Sequence, residues 1–232
     1  MFCTEHIIYL AVSIVLIALG IFFVKKFVKN EKTLKIIIKI SAAFLLIWIL
    51  INRFSVTYAQ IKSAPDTHSW LNLIPYTFCG LASLVFSVSV LVGKKFEPVL
   101  HFIVYFGFFG GLASIIYPDF LENQTFWDIR SFSGLMHHTV MVWLALLLVF
   151  TRSFVPNIKK WYCYPIGFSL MMLLGLFEID ALGFGHSMNI DSPLISDLPV
   201  LTSWYSVFFV STAGVLLIEL IWYLAGRKRK TV

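Results

Sequence analysis

The amino-acid sequence predicts an all-α membrane protein, a bundle of seven transmembrane helices that forms a single polytopic domain over residues 1–232. Three observations support this fold class. Of the 232 residues, 59% are hydrophobic and only 13% are charged, whereas a soluble domain carries about twice that charged fraction. The apolar residues form continuous runs rather than the alternating segments of a β-barrel. Each run is long enough, or nearly so, to cross about 30 Å of hydrocarbon.

The predicted spans follow one another with short connections and no linker that would separate a soluble domain. The first run follows a start without the positive charges of a signal peptide, so we expect a retained helix. The second is the weakest, because it is short and contains Lys39, whose long side chain can extend toward the interface. The other five contain no Lys or Arg. The seven spans are predicted near residues 7–24, 36–53, 73–92, 98–117, 132–150, 162–184 and 203–225.

The distribution of Lys and Arg predicts the orientation. The loops that contain only Arg53, Lys62 and Arg130 alternate with loops and a tail that contain many basic residues. The positive-inside rule places the N-terminus outside and the C-terminus in the cytoplasm. Termini on opposite sides of the membrane require an odd number of spans, in agreement with the seven predicted. The basic set comprises Lys25, Lys26, Lys29, Lys32, Lys35, Lys94, Lys95, Arg152, Lys159, Lys160, Arg227, Lys228, Arg229 and Lys230.

The net charge of +6 is explained by these flanking residues, which meet anionic lipid headgroups. We therefore expect membrane phospholipids as partners and no nucleic acid. We expect a multi-pass protein of the plasma membrane, bacterial in origin, for which a homo-oligomer is one allowed assembly. Of the three cysteines, Cys79 and Cys163 fall within spans, so no disulfide framework is predicted.

Polar residues gather toward the outer ends of the predicted spans. At about 1.5 Å per residue, Cys79 lies roughly 9 Å inside span 3. By the same count, His137 and His138 lie roughly 8–9 Å inside span 5, and Glu178 and Asp180 lie within about 9 Å of the outer end of span 6. Ionisable groups inside a membrane mark functional sites by default. Candidate substrate-binding residues near these outer ends are Arg53, Asp119, Arg130, His186 and Asn189.

A cysteine and a histidine at one depth predict covalent acyl transfer, with Cys79 as nucleophile and His138 as base. His137, Glu178 and Asp180 are candidate supporting residues. Adjacent helical residues point about 100° apart, so we expect only one histidine to face a given site. Each residue also has a structural interpretation: a membrane cysteine often only packs, a histidine can bridge two helices, and carboxylates can lie solvated at the headgroup boundary.

Metal binding is a competing interpretation, because histidine and carboxylate side chains are zinc ligands. The side chains of adjacent helical histidines diverge too far to coordinate one ion easily, and the HExxH spacing is absent. We expect neither a metal nor a cofactor. Phosphate-binding loops, dinucleotide fingerprints and GxSxG are also absent from the sequence. The residues considered as metal ligands are His137, His138, His186, Glu178 and Asp180.

Four short motifs resemble the YwaF-like family of bacterial integral membrane proteins. Residues 74–82, IPYTFCGLA, resemble a Leu-Pro-x-x-x-Cys-x-x-Ala motif, and residues 111–119, GLASIIYPD, resemble a Gly-rich helix that ends in Thr-Pro-Asp. The helix after His138 resembles one that opens with Ser-His-Gly, although His137 and Thr139 replace its Ser and Gly. Trp204 and Tyr205 resemble the Trp-Tyr pair that opens the last helix, so the resemblance covers roughly residues 70–225.

The YwaF-like family is related to a eukaryotic transmembrane acyltransferase that remodels ether phospholipids with a Cys/His pair. The resemblance implies that this pair corresponds to Cys79 and His138. The expected function is acyl transfer on a phospholipid or lipid-linked acceptor. The alternative is a transporter or binding protein for a small solute or lipid, with an outward-facing polar cavity in which histidines shuttle protons. A third option is a purely structural partner of another membrane protein.

Overall fold

A computed structural model of the chain describes residues 3–93, 96–118, 121, 125–193, 198–200 and 202–228. Within these ranges the chain forms seven α-helices and no β-strand. Six helices are long and apolar enough to cross a membrane, whereas the third, with 15 residues, is shorter. The prediction of an all-helical protein with several membrane-length helices is therefore confirmed. The helices are α1 (Thr4–Phe27), α2 (Glu31–Ser63), α3 (Phe78–Val92), α4 (Glu97–Ile116), α5 (Ile129–Phe150), α6 (Cys163–Asp180) and α7 (Trp204–Lys228).

Helix α5 lies at the centre of the bundle and contacts α1, α2, α3 and α4. It is the most buried of the membrane-length helices, whereas α1 and α7 are the least buried. Close packing depends on Gly107 of α4, where an added Cβ would lie 3.0 Å from the Phe86 ring and 3.1 Å from Cγ of Met141. These three residues join α3, α4 and α5 into one apolar core, because a small residue lets neighbouring helices approach closely.

Helix α2 is longer than the sequence predicts, since it ends at Ser63 rather than near residue 53. Its 33 residues measure roughly 50 Å, more than the hydrocarbon thickness. Arg53 is therefore a buried residue inside the helix and not a residue at its end. Polar residues of this extension bond to a neighbouring segment of the chain: the Thr57 hydroxyl donates to the carbonyl oxygen of Asn72.

Helix α3 begins at Phe78, five residues later than predicted. A short 3-10 turn, Trp70–Leu73, precedes it, and Ile74 continues in an extended conformation. Pro75 contributes to this start, because a proline disfavours the helical conformation of the residue before it. The helix begins where the Thr77 hydroxyl accepts a hydrogen bond from the Gly80 N–H group, at 3.2 Å.

Helix α6 ends at Asp180, four residues earlier than predicted. Gly183 adopts a positive φ of 70°, which glycine tolerates at no steric cost. The chain turns back there, and the Phe184 N–H group donates to the carbonyl oxygen of Glu178 at 3.0 Å. The segment after this turn, residues 186–192, is thereby directed toward the start of α3.

Candidate functional site

A polar cavity of about 570 Å³ lies where α2, α3 and α5 meet the segment 186–192. We call this end of the bundle the cavity end. The opposite end, which carries Lys25, Lys26, Lys35 and Lys160, we call the lysine-rich end. Asp119, also a candidate from the sequence, lies outside the described residues. The candidates that line the cavity are Arg53, Cys79, Arg130, His137, His138, His186 and Asn189.

Cys79 is the second residue of α3 and is half-buried. The structure therefore places it at a helix N-terminus that lies inside the protein, not roughly 9 Å within a helix as the depth count assumed. Its Sγ lies 3.4 Å from Oγ of Ser114 on α4. An added Cβ at Gly110 would lie 4.0 Å from the same sulfur. Small residues on α4 thus leave space beside the thiol.

Both histidines line the cavity, so the expectation that only one would face it is wrong. Gly134 lies on the same face of α5, and the cavity covers enough of that face to include positions about 100° apart. Their ring centroids are 4.0 Å apart, and each residue is only 4% exposed. The helix therefore presents two buried imidazoles together rather than one.

Ser83 is a site residue that the sequence reasoning missed. Its hydroxyl lies 3.0 Å from Nδ1 of His137 and also donates to Sδ of Met141 at 3.4 Å. It is fully buried and lies four residues after Cys79, so it occupies the same face of α3 one turn further along. That spacing is the signal by which it can be found in the sequence.

Arg53 holds the non-helical segment that precedes α3. Its guanidinium donates to the carbonyl oxygens of Asn72 and Ile74, the latter at 3.2 Å, and lies 4.6 Å from the centroid of the Tyr76 ring. The Thr57 hydroxyl also donates to the Asn72 carbonyl, at 3.0 Å. Non-helical backbone in a membrane requires such internal partners. Arg53 therefore supports the wall of the cavity as well as lining it.

The segment after α6 closes another side of the cavity by bonding to Tyr76. The Met188 N–H group donates to the Tyr76 carbonyl oxygen at 2.9 Å, and Met188 and Asn189 adopt positive φ angles of 46° and 47°. The His186 ring meets the Tyr76 ring edge-on, with centroids 5.9 Å apart. Gly175 of α6 allows this fit, because an added Cβ would lie 2.7 Å from Cγ of Met188.

Neither carboxylate proposed as support orients a histidine. Oε2 of Glu178 accepts a hydrogen bond from the Ser187 hydroxyl, and its Oε1 has no partner among the described residues. Glu178 is fully buried and holds the segment that carries His186 and Asn189. Asp180 is exposed at the end of α6 and is not among the residues that line the cavity. The depth count therefore brought these two carboxylates close to the histidines in the sequence analysis without any information on the direction of their side chains.

Arg130 forms a two-bond ion pair with Asp128 at the rim of the cavity. Nε and Nη2 of the guanidinium each lie 2.8 Å from one carboxylate oxygen. The same carboxylate accepts the Arg130 N–H group at 2.8 Å and so caps α5. Hydrogen bonds from Arg130 hold the pKa of Asp128 below its usual value. The pair fixes one basic group at the entrance.

Comparison with known proteins gives the family. The sequence profile of the TMEM164 family matches residues 1–225, nearly the whole chain. This chain belongs to the TMEM164 family. It is also similar to a protein of Treponema pallidum (strain Nichols) described as uncharacterized, with 24% identity over 165 residues. That alignment covers 70% of this chain and 66% of the other protein, just under two thirds of its length. No solved structure matches the chain.

The match to the TMEM164 family includes every residue that lines the cavity. Family membership and the apolar helices together identify a multi-pass membrane protein. The geometry adds a half-buried thiol at a helix N-terminus, two buried imidazoles and two guanidinium groups around one volume.

Proposed function

We propose that this TMEM164 family member is a membrane-embedded acyltransferase that acts on a phospholipid or lipid-linked substrate through a thioester at Cys79. One observation carries the proposal: Cys79, His137 and His138 line the same cavity together with Arg53 and Arg130. A thiol and an imidazole in one volume provide a nucleophile and a general base. The YwaF-like resemblance, which assigns the pair to Cys79 and His138, supports the same assignment.

In the first half-reaction, His138 takes the proton of the Cys79 thiol, and the sulfur attacks the carbonyl carbon of a lipid ester. A C–S bond forms, the ester C–O bond breaks, and the leaving lipid alkoxide takes the proton from the imidazolium. In the second half-reaction, His138 takes the proton of an acceptor hydroxyl, which attacks the thioester. A C–O bond forms, the C–S bond breaks, and the sulfur regains the proton.

The start of α3 supports the charges that develop during these steps. The N-terminus of a helix carries partial positive charge, and its first N–H groups have no hydrogen-bond acceptor within the helix. It therefore favours an anionic sulfur and the oxyanion of a tetrahedral intermediate. Cys79 occupies the first turn, directly after the cap at Thr77. His137, held by Ser83, orients and buttresses the ring of His138.

The basic groups around the cavity suit an anionic lipid headgroup. Arg53 and Arg130 line it, and the N–H groups that bond neither to Asp128 nor to the carbonyls of Asn72 and Ile74 can donate to a phosphate. His186 and Asn189, which also line the cavity, add polar contacts. We place the phosphate of the substrate near these residues and its ester next to Cys79. The acyl chains would then enter laterally between helices.

We further propose that the protein resides in the plasma membrane of a bacterium, with seven spans, the N-terminus outside and the C-terminus in the cytoplasm. The basic residues of the lysine-rich end support this orientation. A transporter or binding protein is the second candidate, favoured by a polar cavity with two buried histidines. A transporter tolerates Cys79→Ser, whereas an enzyme that forms a thioester does not.

Intact-protein mass spectrometry of the purified protein tests the proposal. We expect a fraction of the wild-type chain to carry an acyl adduct that hydroxylamine removes and that maps to Cys79. Cys163→Ala is the matched control, because Cys163 is buried in α6 away from the cavity, and it should keep the adduct. An adduct that persists in Cys79→Ala would contradict the assignment of the nucleophile.

A further inference from the structure

We propose that Glu219 and His101 form a proton-binding site at the lysine-rich end of the bundle, separate from the polar cavity. Neither residue lines that cavity, and neither takes part in the acyl transfer proposed above. An ionisable residue inside a membrane span is expensive to maintain and is by default a functional one. The inference is independent of the proposed function.

Glu219 is the acceptor of this site. It lies on α7 and is 1% exposed. Its Oε1 accepts a hydrogen bond from the Tyr105 hydroxyl at 3.1 Å, and its Oε2 has no partner among the described residues. An ionised carboxylate with a single hydrogen bond is costly in an apolar medium, so this position favours the protonated acid. The unpartnered oxygen is where the proton resides.

His101 connects this carboxyl group to the surface. It lies one turn before Tyr105 on α4, is 3% exposed, and packs against the Phe154 ring with centroids 4.9 Å apart. Its Nε2 lies 4.0 Å from Oε1 of Glu97, which also pairs with Nζ of Lys160 at 2.6 Å. Its Nδ1 has no partner among the described residues. The Tyr105 ring also packs against Phe154, with centroids 5.8 Å apart, so His101 and the residue that bonds to Glu219 lie against the same aromatic ring.

Two buried polar atoms without protein partners are the places where water binds in a protein interior. We infer that water joins Nδ1 of His101 to Oε2 of Glu219, because His101 and Tyr105 pack against the same Phe154 ring and Tyr105 donates to Glu219. A proton that reaches His101 from the lysine-rich end then passes to Glu219. The N–H bond of the imidazolium breaks, the O–H bond of the carboxylic acid forms, and both groups become neutral.

Other titratable groups surround the site. They influence the free energy of proton binding at Glu219, but none of them is the acceptor. Tyr164 is buried beside Tyr105, with ring centroids 6.5 Å apart. Cys163 at the start of α6 lies within electrostatic reach of Lys160, Glu97 and Glu219. The groups that face the site are Glu97, His101 and Tyr105 from α4, Lys160 from the turn before α6, and Cys163 and Tyr164 from α6.

A purely structural role is the simpler interpretation. Val215 and Glu219 are the buried residues of α7 over Trp204–Ala225. The hydrogen bond from Tyr105 to Glu219 therefore also attaches α7 to α4. A structural bond requires neither exchange with water nor His101. The rate at which Glu219 exchanges its proton therefore distinguishes the two roles.

Infrared difference spectroscopy of the full chain in lipid nanodiscs tests the proposal. Raising the pH stepwise over the range in which the protein stays folded should remove a carboxylic C=O band in the wild type. The band should be absent in Glu219→Gln, unchanged in Cys79→Ala and shifted in Tyr105→Phe. In D2O, His101→Phe should slow the exchange-induced shift of this band at least tenfold, whereas Tyr162→Phe, at an exposed position before α6, should leave its rate unchanged.

A wild-type measurement covers the case in which Glu219→Gln does not fold. A hydrophobic carbodiimide reacts with protonated carboxyl groups in the membrane, and it should label Glu219 at the lowest pH of that range and at least tenfold less at the highest. No titrating band together with equal labelling at both values would overturn the proton site. Unchanged exchange in His101→Phe would overturn the route through His101.

Discussion

The Ser83 hydroxyl lies 3.0 Å from Nδ1 of His137. Because Ser83 follows Cys79 by one turn of α3, the helix that carries the thiol also holds one of the two imidazoles. The bond orients the His137 ring, whose centroid lies 4.0 Å from that of the His138 ring. The candidate catalytic residues are therefore joined through one helix and one hydrogen bond.

Loss of this bond should impair turnover. Ser83→Ala leaves a buried Nδ1 without its partner and frees the His137 ring, so we expect acyl transfer to fall roughly tenfold or more. Ser87→Ala is the control, because Ser87 is equally buried on α3 but donates only to the carbonyl of Leu84 in its own helix. Initial rates on labelled phospholipid measure both. Equal rates in the two variants would contradict a positioning role for Ser83.

Arg53 should be required for stability. Arg53→Met removes the donors to the carbonyls of Asn72 and Ile74, and each hydrogen bond from a charged donor contributes about 1.5–3 kcal/mol. Arg53→Lys should recover little of the lost stability, because one ammonium group does not reproduce the planar set of N–H donors of a guanidinium. Thermal unfolding in detergent measures the loss. Exposed Arg152→Lys is the control and should leave the unfolding temperature unchanged.

An unchanged unfolding temperature in Arg53→Met would mean that the segment before α3 is held by other contacts.

Gly175 should control access to the cavity. In Gly175→Ala the new Cβ would lie 2.7 Å from Cγ of Met188, so the segment that bonds to Tyr76 must move. Forcing a carbon into a packed site costs about 1–3 kcal/mol. We expect a lower unfolding temperature and faster maleimide labelling of Cys79. Gly214→Ala, which meets nothing within 4 Å, should change neither. Identical labelling rates in the two variants would refute this role.

The orientation can be tested with single cysteines in a chain whose native cysteines are alanine. Val200→Cys, exposed after the segment 186–192, should react with an impermeant reagent in intact cells. Thr231→Cys in the C-terminal tail should react only after permeabilisation, because the basic residues keep that end in the cytoplasm. Labelling of the tail in intact cells would reverse the orientation.

Hydropathy predicts α1, α4, α5 and α7 within a few residues, because long apolar runs in a membrane have no alternative to helix. It fails at the end of α2 and the start of α3. There the structure depends on Arg53 and Thr57 bonding to the carbonyl of Asn72, a contact between segments that no local pattern reports. In the candidate site, too, some features follow from the sequence pattern and others depend on contacts between segments. Depth brings Cys79 to the level of the histidines, but the directions of Glu178 and Asp180 depend on packing.

The central claim is that Cys79 forms a thioester with an acyl group taken from a membrane phospholipid. The most direct measurement incubates the purified protein with phospholipid labelled in its acyl chain and follows label on the protein. Wild type and Cys163→Ala should acquire label that hydroxylamine releases, whereas Cys79→Ala should acquire none. His138→Ala should lose most of the rate, and the double variant should lose no more, because the two residues act as one unit. Full transfer activity in Cys79→Ala would contradict the enzyme assignment and favour the transporter.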